Sequence, residues 1–247
     1  MNKDGKSEDA EDMIFDKRNR KTINIRKSIK RSAVLVAVTL FLYSCSPSEP
    51  PVTSYDDFNY RVIDNNTAVE ITGFRRMLGG YAQIPSHIRG LPVTRIVQYA
   101  LGENPASRGG APGFHAVKIP DTVTYIAYGA FRRNRISTLT LGSGVRYIGR
   151  NAFSTNRIDS IAIPSSVVSV SGFNANRLTS LHIPYGVQYI GDWAFRMNQL
   201  TSVSIPDSVQ SIGPQAFRRN RLTEVSIPQH TMVADNAFDR RVTITRR

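Results

Sequence analysis

The feature that most constrains this chain is a period of 22 residues. Residues 200–221 carry Leu200, Val203, Ile205-Pro206, Val209, Ile212-Gly213, Ala216-Phe217 and Asn220-Arg221 at fixed places. Residues 178–199, 136–157 and 114–135 repeat that layout, and 158–177 repeats it with two residues missing before Phe173. Residues 222–238 are a last copy, one residue short. A degenerate first copy holds Ile84-Pro85, Val93, Ile96 and Ala100-Leu101 and ends at Asn104, with insertions at 86–92 and 105–113. The seven copies exceed the three or so that a stack of coils needs. One copy cannot bury its own apolar side, whereas neighbours stacked on it can.

Each copy reads as one coil. Leu200, Val203 and Ile205 predict a short strand with Val203 and Ile205 on the same side. Pro206 ends it, because proline has no N–H for a ladder. Val209 and Ile212 supply a second apolar edge on the return path, Gly213 turns the chain, and Ala216-Phe217 plugs the interior. Phe131, Phe153, Phe173, Phe195, Phe217 and Phe238 are expected to form a column of rings in the core. Asn134, Asn156, Asn176, Asn198 and Asn220 are expected to bond backbone groups of neighbouring coils at a buried turn.

The pattern Ile-Pro, Val-x-x-Ile-Gly, Ala-Phe, Asn resembles the bacterial surface leucine-rich repeats of the BspA-like family, in particular their spirochaete version, over residues 80–241. The resemblance implies a β-rich leucine-rich-repeat solenoid: a curved, right-handed stack of short parallel strands with a parallel sheet on one face. Short helical or turn segments are expected at the Ala-Phe positions. It also implies a cell-surface role, often adhesion to host matrix proteins or to other bacteria. The ends need caps. Residues 58–63 and 67–72 flank Asp64-Asn65-Asn66 and predict a β-hairpin cap within 56–79. Residues 242–247 predict a last edge strand protected by Arg246 and Arg247.

The first 44 residues read as an address. A basic stretch at 17–31 precedes an apolar run at 33–43, then Ser44-Cys45. This is the layout of an export signal, and the run is far short of the ~20 residues that span a bilayer. Residues 42–45 resemble a bacterial lipobox, which implies that Cys45, the chain's one cysteine, carries lipid. Tyr43 departs from the small or branched residue usual there, and Met13 offers a second start. Residues 45–55 then form the lipidated cysteine and a flexible tether. The expected location is the bacterial outer membrane or cell surface.

No catalytic signature is present: no phosphate-binding glycine loop, no Gly-x-Ser-x-Gly and no paired histidines. No enzyme activity, cofactor or metal is expected. One cysteine excludes a disulfide framework. The expected function is binding of a protein or acidic glycan, including host extracellular matrix; the alternative is an envelope-structural role against the cell's own anionic surface. Nucleic acid is not expected. Three surfaces compete for that ligand. The first strand presents a small, hydroxyl-rich face that includes Thr138, Thr140, Ser160, Ser180, Ser202, Ser204 and Ser226. Tyr125, Tyr147 and Tyr189 recur just before the inward isoleucine, and the spacing leaves both directions open to them. Arginine supplies the third. The net charge is +13, and after residue 44 Lys118 is the only lysine. Arg135, Arg157, Arg177 and Arg221 follow the asparagines and Arg132, Arg196 and Arg218 follow the phenylalanines, which predicts a basic ridge with Arg132, Arg135, Arg157, Arg177, Arg218 and Arg221 as its main members. Like charges at coil spacing repel by about 1 kcal/mol per pair in water, so an anionic partner would be favoured.

Overall fold

The structure, a computed structural model, describes residues 54–75, 80–103 and 111–247. The export segment, Cys45 and nearly all of the tether lie outside the described residues, as does most of the 105–113 insertion. The described chain is a β-solenoid, and its only helix is the 3-10 turn Tyr55–Asp57.

β1 (Phe58–Ile63) and β2 (Ala68–Phe74) pair antiparallel around Asp64, Asn65 and Asn66, which all take positive φ. Asparagine and aspartate tolerate that region better than most residues. The hairpin is an end piece: β2 pairs parallel with β5 (Leu91–Ile96), the first full coil. Between them in sequence lie β3 (Tyr81–Gln83) and β4 (His87–Ile88), the latter closing the turn insertion back onto β5. Later coils contribute β6 (Ala116–Lys118), β7 (Tyr125–Ile126), β8 (Thr138–Thr140), β9 (Tyr147–Ile148), β10 (Ser169–Val170), β11 (Tyr189–Ile190) and β12 (Ser211–Ile212). The last coil adds β13 (Glu224–Ile227) and β14 (Met232–Val233), and β15 (Thr243–Arg246) ends the chain.

The long sheet runs β1-β2-β5-β7-β9-β10-β11-β12-β14, parallel from β2 onward. It lies along the Val-x-x-Ile segments, the return path of each coil. The first-strand side, where a continuous sheet is expected, carries only β3-β6-β8 at one end and β13-β15 at the other. Residues 160–162, 180–182 and 202–204 form no ladder. On the return path, by contrast, each coil sends N–H groups to the one before it, as in Arg146 N–H to Thr124 O (2.9 Å) and Gly149 N–H to Ile126 O (2.8 Å). The Ala-Phe segments are turns throughout, not helices.

The core is the predicted one. Ala130-Phe131, Ala152-Phe153, Phe173, Ala194-Phe195 and Ala216-Phe217 are buried, as are Val123 and Ile126, Val145 and Ile148, Val167 and Val170, Val187 and Ile190, and Val209 and Ile212, whereas Ile161, Val203 and Val233 are half-buried. The six phenylalanine rings stack with nearly parallel planes, their centroids 5.1–5.9 Å apart. The pitch of the coils, close to the strand spacing of ~4.8 Å, sets the repeat of the column, within the roughly 4.5–7 Å range of favourable aromatic pairs. Leu101 takes the ring's place in the degenerate coil, its N–H reaching Ala130 O as the Phe131 N–H reaches Ala152 O. Phe58, Phe74 and Phe114 continue the aromatic packing edge-on at the capped end.

The asparagines form a second column, buried beside the rings. Asn176 Oδ1 accepts the N–H of Ile158 in its own coil at 3.1 Å, while its Nδ2 donates to Phe153 O of the preceding coil (3.0 Å) and Phe173 O of its own (3.2 Å). Asn156, Asn198 and Asn220 repeat these three bonds. In the last coil Arg241 stands at the asparagine's place and donates to Asn220 O at 2.7 Å. Not all hydroxyls face water: Ser166, Ser208 and Thr231 each donate to the carbonyl of a valine one coil back, at 2.7–2.8 Å.

Candidate binding surface

Because successive coils are in register, each outward position becomes a lane. Tyr125 pairs with Tyr147, Tyr147 with Ser169, Ser169 with Tyr189 and Tyr189 with Ser211. The alternation of the strand sends the following isoleucine inward and the tyrosine outward. Tyr125, Tyr147 and Tyr189 are 43%, 44% and 43% exposed, which settles their direction. Tyr125 and Tyr147 touch, ring centroids 6.2 Å apart, and Ser169 separates them from Tyr189. Arg95 extends the lane toward the cap and exposed Met232 ends it. Tyr128 does not join this strip. It packs edge-on against Tyr99 at 5.4 Å and meets Asn151 Nδ2 at 3.2 Å.

The arginines divide into two lanes. Arg135, Arg157, Arg177 and Arg221 are exposed and fall at one place in successive coils. Their backbone N–H groups bond Phe114 O, Ile136 O, Ile158 O and Leu200 O at 2.8–3.0 Å, and Gln199 holds the same position through Leu178 O. The buried asparagine one residue earlier fixes each of them, so the lane is as regular as the asparagine column. Among the described residues none of these four arginines has a carboxylate within ion-pair distance, whereas Arg61–Glu70, Arg133–Glu103, Arg150–Asp192 and Arg247–Asp207 are paired. The lane behind the phenylalanines is discontinuous: Arg132, buried Ser154, Asn174, Arg196, Arg218 and Asp239 occupy it in turn. Arg132 and Arg218 are therefore held far apart, and only Arg196 and Arg218 are neighbours there. Burial, then the charges of Arg219 and Arg218, push the Arg196 guanidinium below its ordinary value. Sequence reasoning did not single out Arg150, which lies over Trp193 at 4.1 Å; the signal for it was the two-residue gap in the next copy.

The first-strand face is an open groove of small polar side chains, lined by Thr138, Ser160, Ala162, Ser180 and His182. Among the described residues no three His, Cys, Asp or Glu side chains are grouped to hold a metal.

Stacked coils with an apolar interior, short parallel strands and outward lanes of repeated residues define a leucine-rich-repeat solenoid. The family described as BspA type leucine rich repeat region matches residues 111–173 and 167–246, more than half of the chain, in six copies. The protein belongs to that family. Among solved structures, a T. pallidum leucine-rich repeat protein is similar with a TM-score of 0.63 and 23% identity, over 74% of this chain and 86% of that one. A leucine-rich repeat protein from Bacteroides ovatus gives 0.55 and 23% over 75% of this chain, and a leucine rich cell surface protein from Faecalibacterium prausnitzii gives 0.55 and 21% over 81%. The chain spans 50% and 56% of those two proteins. Identities this low carry the fold alone. No curated protein matches the chain.

Proposed function

We propose that this protein is a lipid-anchored binding module of the bacterial surface that engages an acidic ligand, a protein or a sulfated glycan, in adhesion. The observation that carries the reading is the lane of Arg135, Arg157, Arg177 and Arg221: exposed, unpaired among the described residues and repeated at coil spacing. Planar guanidinium forks suit sulfate and carboxylate groups better than point charges do, and aligned like charges gain most from a polyanion. Membership of the BspA-type family and the F. prausnitzii cell surface protein support placement at the surface.

The test is the fourfold change of Arg135, Arg157, Arg177 and Arg221 to Gln. Each exposed substitution moves stability by under about 0.5 kcal/mol, so the fold should survive. Binding to immobilised heparin should fall, and its salt dependence should flatten. Unchanged binding across a salt titration would transfer the role to the Tyr125, Tyr147 and Tyr189 strip, which is exposed and amphipathic as interface aromatics are. The anchor is tested separately. Cys45→Ala should abolish fatty-acid labelling and detergent partitioning, and labelling equal to wild type would remove the lipoprotein reading.

A further inference from the structure

The backbone bonds that hold the arginine lane also fix its order and its spacing. Arg157 N–H donates to Ile136 O, the residue directly after Arg135, at 2.8 Å, and Arg177 N–H donates to Ile158 O, directly after Arg157, at 2.9 Å. Gln199 and Arg221 continue the series through Leu178 O (2.8 Å) and Leu200 O (2.9 Å). Residues 135, 157, 177, 199 and 221 therefore stand side by side on successive coils, one strand spacing of ~4.8 Å apart. Read along the stack, the lane is three contiguous cations, a neutral glutamine and a fourth cation. All four arginines are exposed, and among the described residues none has a carboxylate partner.

A second lane runs beside it. Ile136, Ile158, Leu178, Leu200 and Leu222 point inward, and the next residue of each coil is exposed again on the arginine's side. Those residues are Ser137, Asp159, Thr179, Thr201 and Thr223. Asp159 accepts the Ser160 hydroxyl at 3.1 Å and Ser137 donates to His115 O at 3.3 Å. The three threonines present hydroxyls to solvent next to the cations.

One charge per coil is an even and modest density. It suits a linear polymer whose every unit carries one carboxylate. A pyranose uronate extends about as far as one coil, so each sugar brings one carboxylate to one planar guanidinium fork and its hydroxyls to the neighbouring lane. An acidic peptide strand fits less well, because it advances ~3.4 Å per residue and turns alternate side chains away. A heavily sulfated chain binds through its charge, but it carries more anions per sugar than the lane has cations to pair.

We infer that Arg135, Arg157 and Arg177 bind three successive sugars of a linear polyuronate, one carboxylate to each guanidinium, and that Gln199 is a neutral break before Arg221. This rests on the lane being the surface for an acidic ligand, and it narrows that ligand by its charge spacing.

The test uses the full chain, held in a non-ionic detergent and retained on immobilised polygalacturonate. Di-, tri- and tetragalacturonate compete for it, and fully methyl-esterified trigalacturonate keeps the sugars without the charges. Trigalacturonate should compete about fivefold better than digalacturonate, the upper end for one exposed ion pair, and the methyl ester should not compete. Arg157→Gln splits the contiguous three and should weaken trigalacturonate about fivefold, whereas Arg221→Gln should leave it unchanged. The native Gln199 occupies the same place in its coil, so glutamine is compatible with the fold there. Gln199→Arg should improve tetragalacturonate more than digalacturonate. The inference is overturned if the chain is not retained, if the methyl ester competes as the acid does, or if Arg157→Gln and Arg221→Gln change trigalacturonate competition alike. Heparin binding by the fourfold variant separates the two readings. If that variant loses heparin while trigalacturonate is indifferent to Arg157, the polyuronate falls and the acidic-ligand lane stands; if heparin binding is unchanged, the lane itself falls.

Discussion

At the scale of single residues, the asparagines are the most constrained positions. Each buried amide uses its oxygen to close its own coil and its nitrogen to reach the carbonyl of the coil before it. No other side chain of that size offers an acceptor and two donors together. Asn176→Ala would strand the Ile158 N–H, while the Phe153 and Phe173 carbonyls lose one of their two amide donors and keep Asn156 and Asn198. It should lower stability by about 1–3 kcal/mol, the range for stranding one buried polar group. Asn176→Asp keeps shape and acceptor but removes both donors, and should be no better. Denaturant melts of the two variants check this; wild-type midpoints would mean that the amide bonds add nothing. The asparagine's role was legible in the sequence because it recurs and because amide chemistry admits few alternatives. The direction of Tyr125, Tyr147 and Tyr189 was not legible, since a two-residue strand is too short for an alternation to declare itself until its neighbours fix the register.

Among elements, the Ala-Phe turn is the one that every coil must make, and it is bounded by left-handed residues. Arg133, Thr155, Ala175, Met197 and Arg219 take φ of 55–61° two places after the phenylalanine, and Tyr99, Asn151, Trp193 and Gln215 do so before it. No glycine marks these places, apart from Gly129, so the sequence left helix and turn both open there. Thr155 is the most strained of them, because a β-branched side chain fits that region worst. Thr155→Asn should therefore raise stability by about 0.5–1 kcal/mol, read as a higher melting temperature. A decrease would show that the Thr155 methyl contributes packing that outweighs the backbone. The sheet was misplaced for a related reason. The first strand has the better pattern of apolar alternation, but residues 160–162, 180–182 and 202–204 exchange no ladder bonds, while the shorter Val-x-x-Ile segments do so in every coil. Apolar alternation reports which side chains are buried and says little about which backbone groups are paired.

For the whole molecule, the stack is a chain of nearest-neighbour contacts. Phe195 sits between Phe173 at 5.9 Å and Phe217 at 5.5 Å. Phe195→Ala should cost ~3–5 kcal/mol and weaken the coupling of the coils on either side, so that unfolding loses cooperativity. Trp193 emission and far-UV circular dichroism should then report different midpoints; coincident midpoints at the wild-type value would place the ring outside the core. The charge arrangement was readable at this scale as repetition, which gives the lane of Arg135, Arg157, Arg177 and Arg221. Its division from the phenylalanine lane, and the contact of Arg150 with Trp193 across the short copy, depend on which corners the coils share and needed coordinates. The asparagine column also shapes how such an array can descend. Every asparagine bonds only its own coil and the one before it, so removing a 22-residue block takes away one set of bonds and brings together ends that make the same set again. Unequal recombination between segments that encode whole units can thus lengthen or shorten the array with no new contact to invent. The hairpin of β1 and β2 and the Arg241 plug stay at the two ends, and the number of copies between them is free to drift from lineage to lineage.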